Sequence, residues 1–357
     1  MTQEADQLRA GSILFFVLLL LSGLHMAKVN PAGAQNTPKP DTLVSEPRSI
    51  EVNSWQLDSF RKDKMRTTKV GKLKWLGGLA LSSSTPVFGG YSGLEVSSDG
   101  RRFIAVSDAG SWLAGKLVYE NGRLLKIADT RAGAIKALGN KSLQRRRDRD
   151  AEAVRLMSGN LVSGTALISF EINQRIGFFP IREGKIAGPT HYLRPGRRMS
   201  ANKGLESVAL VGRGGSSRNV IAFAERSLNA NGHHRGFLWS GNSTRPQPVA
   251  LVNLQDFDIT DAVGIPDGRL IILERRFRWS EGIKMRIREI AAKSVRPGAV
   301  MNGRTLLRAD LRYEIDNMEG ISAHQDAKGR TILTLISDNN FNTFLQRTLL
   351  LQFELTK

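Results

Sequence analysis

The sequence contains no cysteine in 357 residues. Disulfides, thiolate nucleophiles and cysteine-ligated zinc are therefore excluded. Histidine is nearly as scarce, with five in the chain. None has zinc-ligand spacing, and the neighbours His233 and His234 would face opposite sides of a strand. No Gly-x-Ser-x-Gly elbow occurs, so serine catalysis lacks its usual strand-to-helix signature. Ser92 sits in a glycine-rich turn, with no histidine or acid set beside it by a local motif. Helical periodicity is sparse. Acidic residues are also in deficit: 33 Asp and Glu face 52 Lys and Arg, a net charge of +19. That balance favours anionic partners. The densest basic run, Arg145-Arg146-Arg147-Asp148-Arg149, is broken by an acid and carries no interleaved aromatics, and no nucleic-acid motif occurs, so nucleic acid is not among the expected partners.

Long apolar runs are missing as well. Ser12 to Leu24 is apolar but shorter than the roughly 20 residues that span a bilayer. Ala32-Gly33-Ala34 follows, a small-x-small cleavage pattern. Residues 1–34 thus read as a signal peptide, which predicts a periplasmic or secreted protein with no stable membrane span once it is cleaved. Glu4 and Asp6 in the leading segment fit a signal poorly, and the alternative is an uncleaved anchor flanked by Lys28. Residues 35–70 read as a linker and lead-in, rich in Pro, Thr and Ser at first, and residues 71–357 as one domain. A monomer is expected.

What is present is a repeat. Ser92, Glu152, Glu206, Asp261 and Glu319 head short strands at steps of 60, 54, 55 and 58 residues. Each is followed by a turn such as Ser98-Asp99-Gly100 or Pro266-Asp267-Gly268. An apolar strand comes next, and it ends in a second acid: Asp108, Glu171, Glu225, Glu274 or Asp338. Repeated four-stranded hairpin units of this length predict an all-β chain folded as a β-propeller. A mature chain of about 323 residues divided by a mean step of about 57 predicts six blades. The sixth would combine Leu73–Leu81 with the C-terminal strand Thr348–Glu354. In this alignment nine of the ten acid-bearing positions are acidic, Ser92 being the exception.

Several segments resemble the bacterial phytase-like family, described by its "esterase-like activity of phytase". They are Gly89-Gly90-Tyr91-Ser92-Gly93-Leu94, Ser107-Asp108-Ala109-Gly110, Phe257-Asp258-Ile259-Thr260-Asp261-Ala262, Leu273-Glu274-Arg275-Arg276-Phe277, Asp316-Asn317-Met318-Glu319-Gly320-Ile321 and Ile336-Ser337-Asp338-Asn339-Asn340-Phe341-Asn342. The resemblance runs from about Trp75 to the C-terminus and includes Gln346-Arg347-Thr348-Leu349-Leu350. It implies a propeller-like domain and phosphoester hydrolysis. No segment closely matches the metal-site motifs of the calcium-dependent propeller phytases, so residue roles rest on repeat position and residue type.

On that basis Asp108, Glu152, Asp261, Glu274, Asp338 and Asn339 are the candidate metal ligands. Asn202, Asn317 and Asn340 are neutral oxygens nearby. Oxygen-only ligands suit Ca²⁺. Crowded acids need a compensating cation or arginines, so an internal Glu–Arg network that pins the blades together competes with metal binding. Under the metal reading Glu319, and after it Glu206, takes a proton from the attacking water. Lys203, Arg226, Arg275 and Arg276 hold the phosphate oxygens of an anionic small-molecule substrate. The alternatives are a lactonase-like metal-dependent propeller hydrolase and a non-catalytic propeller that binds an anionic envelope component.

Overall fold

The computed structural model describes residues 46–65, 67–196, 199, 204–212 and 219–356. Residues 1–45, Lys203 and Asn202 lie outside them, and so does the expected signal segment. Among the described residues no helix is long and apolar enough to cross a membrane.

The described strands form five sheets, antiparallel apart from one edge pairing. Blade one comprises Tyr91–Val96, Arg102–Ser107, Ser111–Glu120 and Arg123–Ala134. Blade two comprises Ala151–Gly159, Ser163–Phe170, Arg175–Arg182 and Lys185–Ile186. Blade three comprises Leu205–Val211, Asn219–Leu228, His234–Trp239 and Gln247–Leu251, with Val300–Met301 added in parallel at its edge. Blade four comprises Asp258–Gly264, Leu270–Arg278, Gly282–Ile290 and Arg304–Ala309. Blade five comprises Asn317–Gln325, Thr331–Asp338 and Thr348–Leu355 from the C-terminus, then Leu73–Ser82 and Asn53–Leu57 from the N-terminal side.

The first strands of the blades touch one another in a closed cycle, one to five and back to one. Both sheet faces are thereby buried and few edges remain. Five apolar clusters fill the five blade interfaces. One joins Leu94 and Phe103 of blade one to Leu79 and Leu350 of blade five and so closes the ring. The other four lie between blades one and two, two and three, three and four, and four and five. Among the described residues every strand lies between Arg48 and Leu355, and these strands suffice to close the ring.

The first hairpins of blades one and four turn as the sequence predicts. Gly100 and Gly268 lie at φ 70° and 88°, and their amides donate to Ser97 and Ile265 carbonyls at 2.8 and 2.9 Å. A side chain there would strain the left-handed backbone.

The blade count corrects the sequence expectation of six. Leu73–Ser82 does pair with Thr348–Leu355, but the two complete the sheet begun by Asn317–Gln325 and Thr331–Asp338 rather than founding another. Dividing chain length by repeat length counted the lead-in as blade residues. From Arg48 onward that lead-in is woven into the ring: Arg48–Ser49 pairs the outer strand of blade one, and Phe60 is buried in the cluster between blades four and five.

Candidate active site

Each first strand opens with a β-bulge at the same place. The register shifts fall at Ser92, at Glu152 with Ala153, at Glu206, at Thr260 and at Glu319. A bulge leaves its extra residue unpaired and re-aims the side chain, here toward the axis. The residue before each bulge pairs with a fixed place on the second strand: Ser107, Phe170, Ala224, Glu274 and Ser337. The next residue completes the ring: Asp108, Glu171, Glu225, Arg275 and Asp338. Three of these, Asp108, Glu171 and Glu225, donate their backbone N–H to Gly90, Asp150 and Gly204 at 3.0, 3.0 and 3.2 Å.

This register moves blade four by one residue relative to the sequence alignment. Thr260, not Asp261, occupies the bulge, and Arg275, not Glu274, occupies the second ring position. The ten positions therefore hold seven carboxylates, the hydroxyls of Ser92 and Thr260, and one guanidinium.

The carboxylates are crowded. Oxygens of Asp150, Glu152 and Glu171 lie within 4.8 Å of one another, and so do those of Glu171, Glu206 and Glu225. Burial, reinforced by the neighbouring acids, pushes Glu152, Glu206 and Asp338 well above the ordinary carboxylate range. Burial first, then Asp150, lifts Asp108 to about 7 and Glu171 to about 8. Burial lifts Glu319 to about 7 against the opposing pull of Arg275. The Arg275 guanidinium stands 3.2 Å from Glu319 and 3.5 Å from Glu225 and donates to Asn317 Oδ1. Arg146, from the basic run before blade two, opposes the rise at Asp108 and Asp150.

The structure thus brings together Asp108, Glu152, Glu206, Arg275, Glu319 and Asp338 of the candidate residues. Asn339 adjoins them, its Oδ1 accepting from Gly90 and Phe341 N–H groups at 3.3 and 3.1 Å. Arg226 sits at the rim, paired with Asp258.

Three candidates lie elsewhere. Glu274 is wholly buried and grips Arg286 and Arg288, both at 2.5 Å. It faces away because adjacent strand residues point to opposite sides. Arg276 pairs with Glu281 and lies over the Phe257 ring. Asp261 takes Arg155 at 2.6 Å and the Ile321 and Ala262 N–H groups at 2.9 and 2.8 Å. Arg155 also donates to the carbonyls of Leu94, Ala262 and Ile321, tying blades one, two, four and five together across the axis. Lys203 lies outside the described residues.

The sequence reading gives Asp150, Arg146, Arg155 and Thr260 no role, and it counts Glu171 among the second acids without naming it a metal ligand. A signal for the second ring position was available. In blades one, three and five a single residue (Ser107, Ala224 or Ser337) separates the apolar run from the ring acid, and Glu274 holds that spacer place in blade four.

The sequence profile of the phytase-like family, described as "esterase-like activity of phytase", matches residues 86–341. The chain belongs to the phytase-like family. The match spans all of the ring positions of this phytase-like chain. No curated protein sequence matches it significantly. Among solved structures, an endo-arabinase from Bacteroides thetaiotaomicron VPI-5482 is similar at TM-score 0.47 and 12% identity, covering 74% of this chain and 94% of that one. U3-55K is similar at TM-score 0.35 and 8% identity, covering 78% and 77%. Neither likeness bears on the chemistry of the phytase-like site.

Proposed function

We propose that this phytase-like propeller is a secreted or periplasmic phosphoester hydrolase acting at the acidic end of its axis. The observation that carries the reading is the pair of acidic triads sharing Glu171, set beside the Arg275–Glu319 pair. The donor set fits a hard cation: all ligands are oxygens, and the acids are too buried and too crowded to ionise together without a positive partner. Asp150, Glu152 and Glu171 would hold Ca²⁺, and Glu206, which forms the adjoining triad with Glu171 and Glu225, would stay free of the ion. When bound, the ion would supply Lewis acidity toward a phosphoryl oxygen.

The chain's own residues supply the rest. Glu319, held near pH 7 by burial against Arg275, takes a proton from the water that attacks phosphorus. The P–O ester bond breaks, and the leaving oxygen takes a proton from Glu206, which burial and its neighbours keep protonated. The two acids are thus set apart in role by their surroundings. Arg275, with Arg226 and Arg146 at the rim, orients the anionic phosphate.

One observation favours a second reading, lactone hydrolysis. Only one ring position of ten is cationic, and Arg276 is turned away toward Glu281. A neutral ester enters such a mouth with less repulsion than a phosphate. The test is hydrolysis of a phosphomonoester and of a lactone by residues 35–357, after chelation and with Ca²⁺ restored. Phosphatase turnover that Arg275→Ala abolishes supports the first reading. Lactone turnover that survives Arg275→Ala supports the second. No turnover on either substrate leaves a binding propeller. The export proposal is supported by the apolar run and Ala32-Gly33-Ala34, and N-terminal sequencing of the native protein tests it: a start near Gln35 is expected, and an intact Met1 end would mean an anchor.

A further inference from the structure

Each first strand begins at the acidic ring and each second strand ends there. The turns between second and third strands therefore lie on the face where the ring opens. In blade four this turn is extended. The strands Leu270–Arg278 and Gly282–Ile290 stay paired through Phe277 with Ile283 and Arg278 with Gly282, which carries the hairpin past the ring residue Arg275. At its tip Trp279 is 93% exposed and Phe277 53%, their rings 5.5 Å apart and edge-on. Leu311, also exposed, lies against Gly282. The matching loop of blade five presents Phe344 and Leu345, 93% and 72% exposed. Arg347 of that loop bonds to Glu314 and Asp316 of the segment joining the two blades, so the loops of blades four and five both carry exposed apolar groups on this face.

Beneath the hairpin runs a groove of about 610 Å³, lined by Phe257, Tyr313 and five cations: Arg276, Arg278, Lys284, Arg308 and Arg312. Glu281, Asp256 and Asp310 offset part of that charge. Arg308 carries no ion pair among the described residues. We propose that this face is a docking surface for an anionic lipid bilayer. Trp279, Phe277, Phe344 and Leu345 enter the headgroup region, and the groove cations take lipid phosphates. Exposed aromatic groups interleaved with arginine suit the bilayer interface, where an amphipathic ring is favoured and anionic headgroups attract basic side chains. Exposed apolar side chains grouped beside cations are otherwise a liability on a soluble surface. Docking in this orientation turns the acidic mouth toward the membrane.

The test uses residues 35–357, which keep every described strand and lack the apolar N-terminal run. Sedimentation is compared with vesicles of phosphatidylglycerol and phosphatidylcholine and with vesicles of phosphatidylcholine alone. Binding is expected to the anionic vesicles only, weakened by salt, with a blue shift of tryptophan fluorescence. Trp75, Trp112 and Trp239 are buried, and Trp55, on the outer strand Asn53–Leu57 of blade five, is 55% exposed, so the shift should persist in Trp55→Phe and vanish in Trp279→Ser. The double variant Phe277→Ser/Trp279→Ser should lose at least tenfold in partitioning, and Arg308→Gln about fivefold. Both should melt like the parent and keep hydrolysis of a soluble substrate, which separates this proposal from the catalytic one. Absence of vesicle binding, equal binding to neutral vesicles, unchanged binding by the double variant, or capture of a single-stranded oligonucleotide in place of vesicles would overturn it.

Discussion

Arg275 Nη2 stands 3.2 Å from Glu319 Oε1, at a ring position where the other four blades place a carboxylate. One guanidinium thus faces seven acids, and together with a hydrogen bond from Asn317 it keeps Glu319 from rising further. Replacing it removes an anion-holding donor and raises the proton affinity of the base. Arg275→Ala should lower turnover on a phosphomonoester by about 100-fold. The acidic limb of its pH–rate profile should move to higher pH, because the influence that lowers the Glu319 pKa is gone. Arg275→Lys should restore the position of that limb better than it restores rate, since lysine keeps the charge but not the fork.

The chelated protein should lose stability as pH rises. An unfolded carboxyl titrates near 4, whereas Asp108 and Glu319 are lifted to about 7 and Glu171 to about 8. The folded state therefore binds more protons between about pH 4 and 8, and stability falls through that window. Thermal melting after chelation should give a Tm about 5 °C or more lower at pH 8 than at pH 5. A flat profile would mean that the acids are compensated by the protein itself.

Glu274 should behave as a structural residue. Glu274→Gln strips the counter-charge from the wholly buried Arg286 and Arg288. Breaking a buried pair of this kind costs about 3–5 kcal/mol, to be read as a lower denaturant midpoint. Calcium dependence of the folded variant should match the parent. A change in apparent metal affinity at unchanged stability would return Glu274 to the site.

Arg155 and Asp261 hold the axis. Burial lifts Asp261 to about 6 even with Arg155 beside it. Arg155→Met leaves that carboxyl without its partner and leaves the carbonyls of Leu94, Ala262 and Ile321 without this donor. Urea unfolding should show a loss of about 3–5 kcal/mol. The double variant with Asp261→Asn should recover part of it, because an uncharged amide tolerates burial better.

The propeller and its closure by both ends of the chain were legible, because Gly-bearing turns and apolar strands recur at a steady step. Blade number was not, since a lead-in that adds outer strands has the same length per strand as one that founds a blade. The acidic mouth was legible as a set, and Asp108, Glu152, Glu206, Glu319 and Asp338 do converge. Blade four misled the alignment. Its bulge carries Thr260 with an acid one residue later, and Glu274 precedes the ring position by one. A shift of one residue on a strand reverses the face, so two acids assigned to the mouth pair with arginines instead. Arg155 could not be found from spacing, because its partners come from three other blades.

The most direct measurement of the central claim is Ca²⁺ binding to residues 35–357 after chelation, followed by calorimetry and by melting at pH 8, for the parent and for Glu171→Gln. Glu171 belongs to both triads. The account predicts saturable binding to the parent, a rise in Tm that removes the loss seen between pH 5 and 8, and at least tenfold weaker binding by Glu171→Gln. No binding heat and no Ca²⁺-dependent change in Tm would contradict it, and the acids would then be neutralised by protons and Arg275 alone.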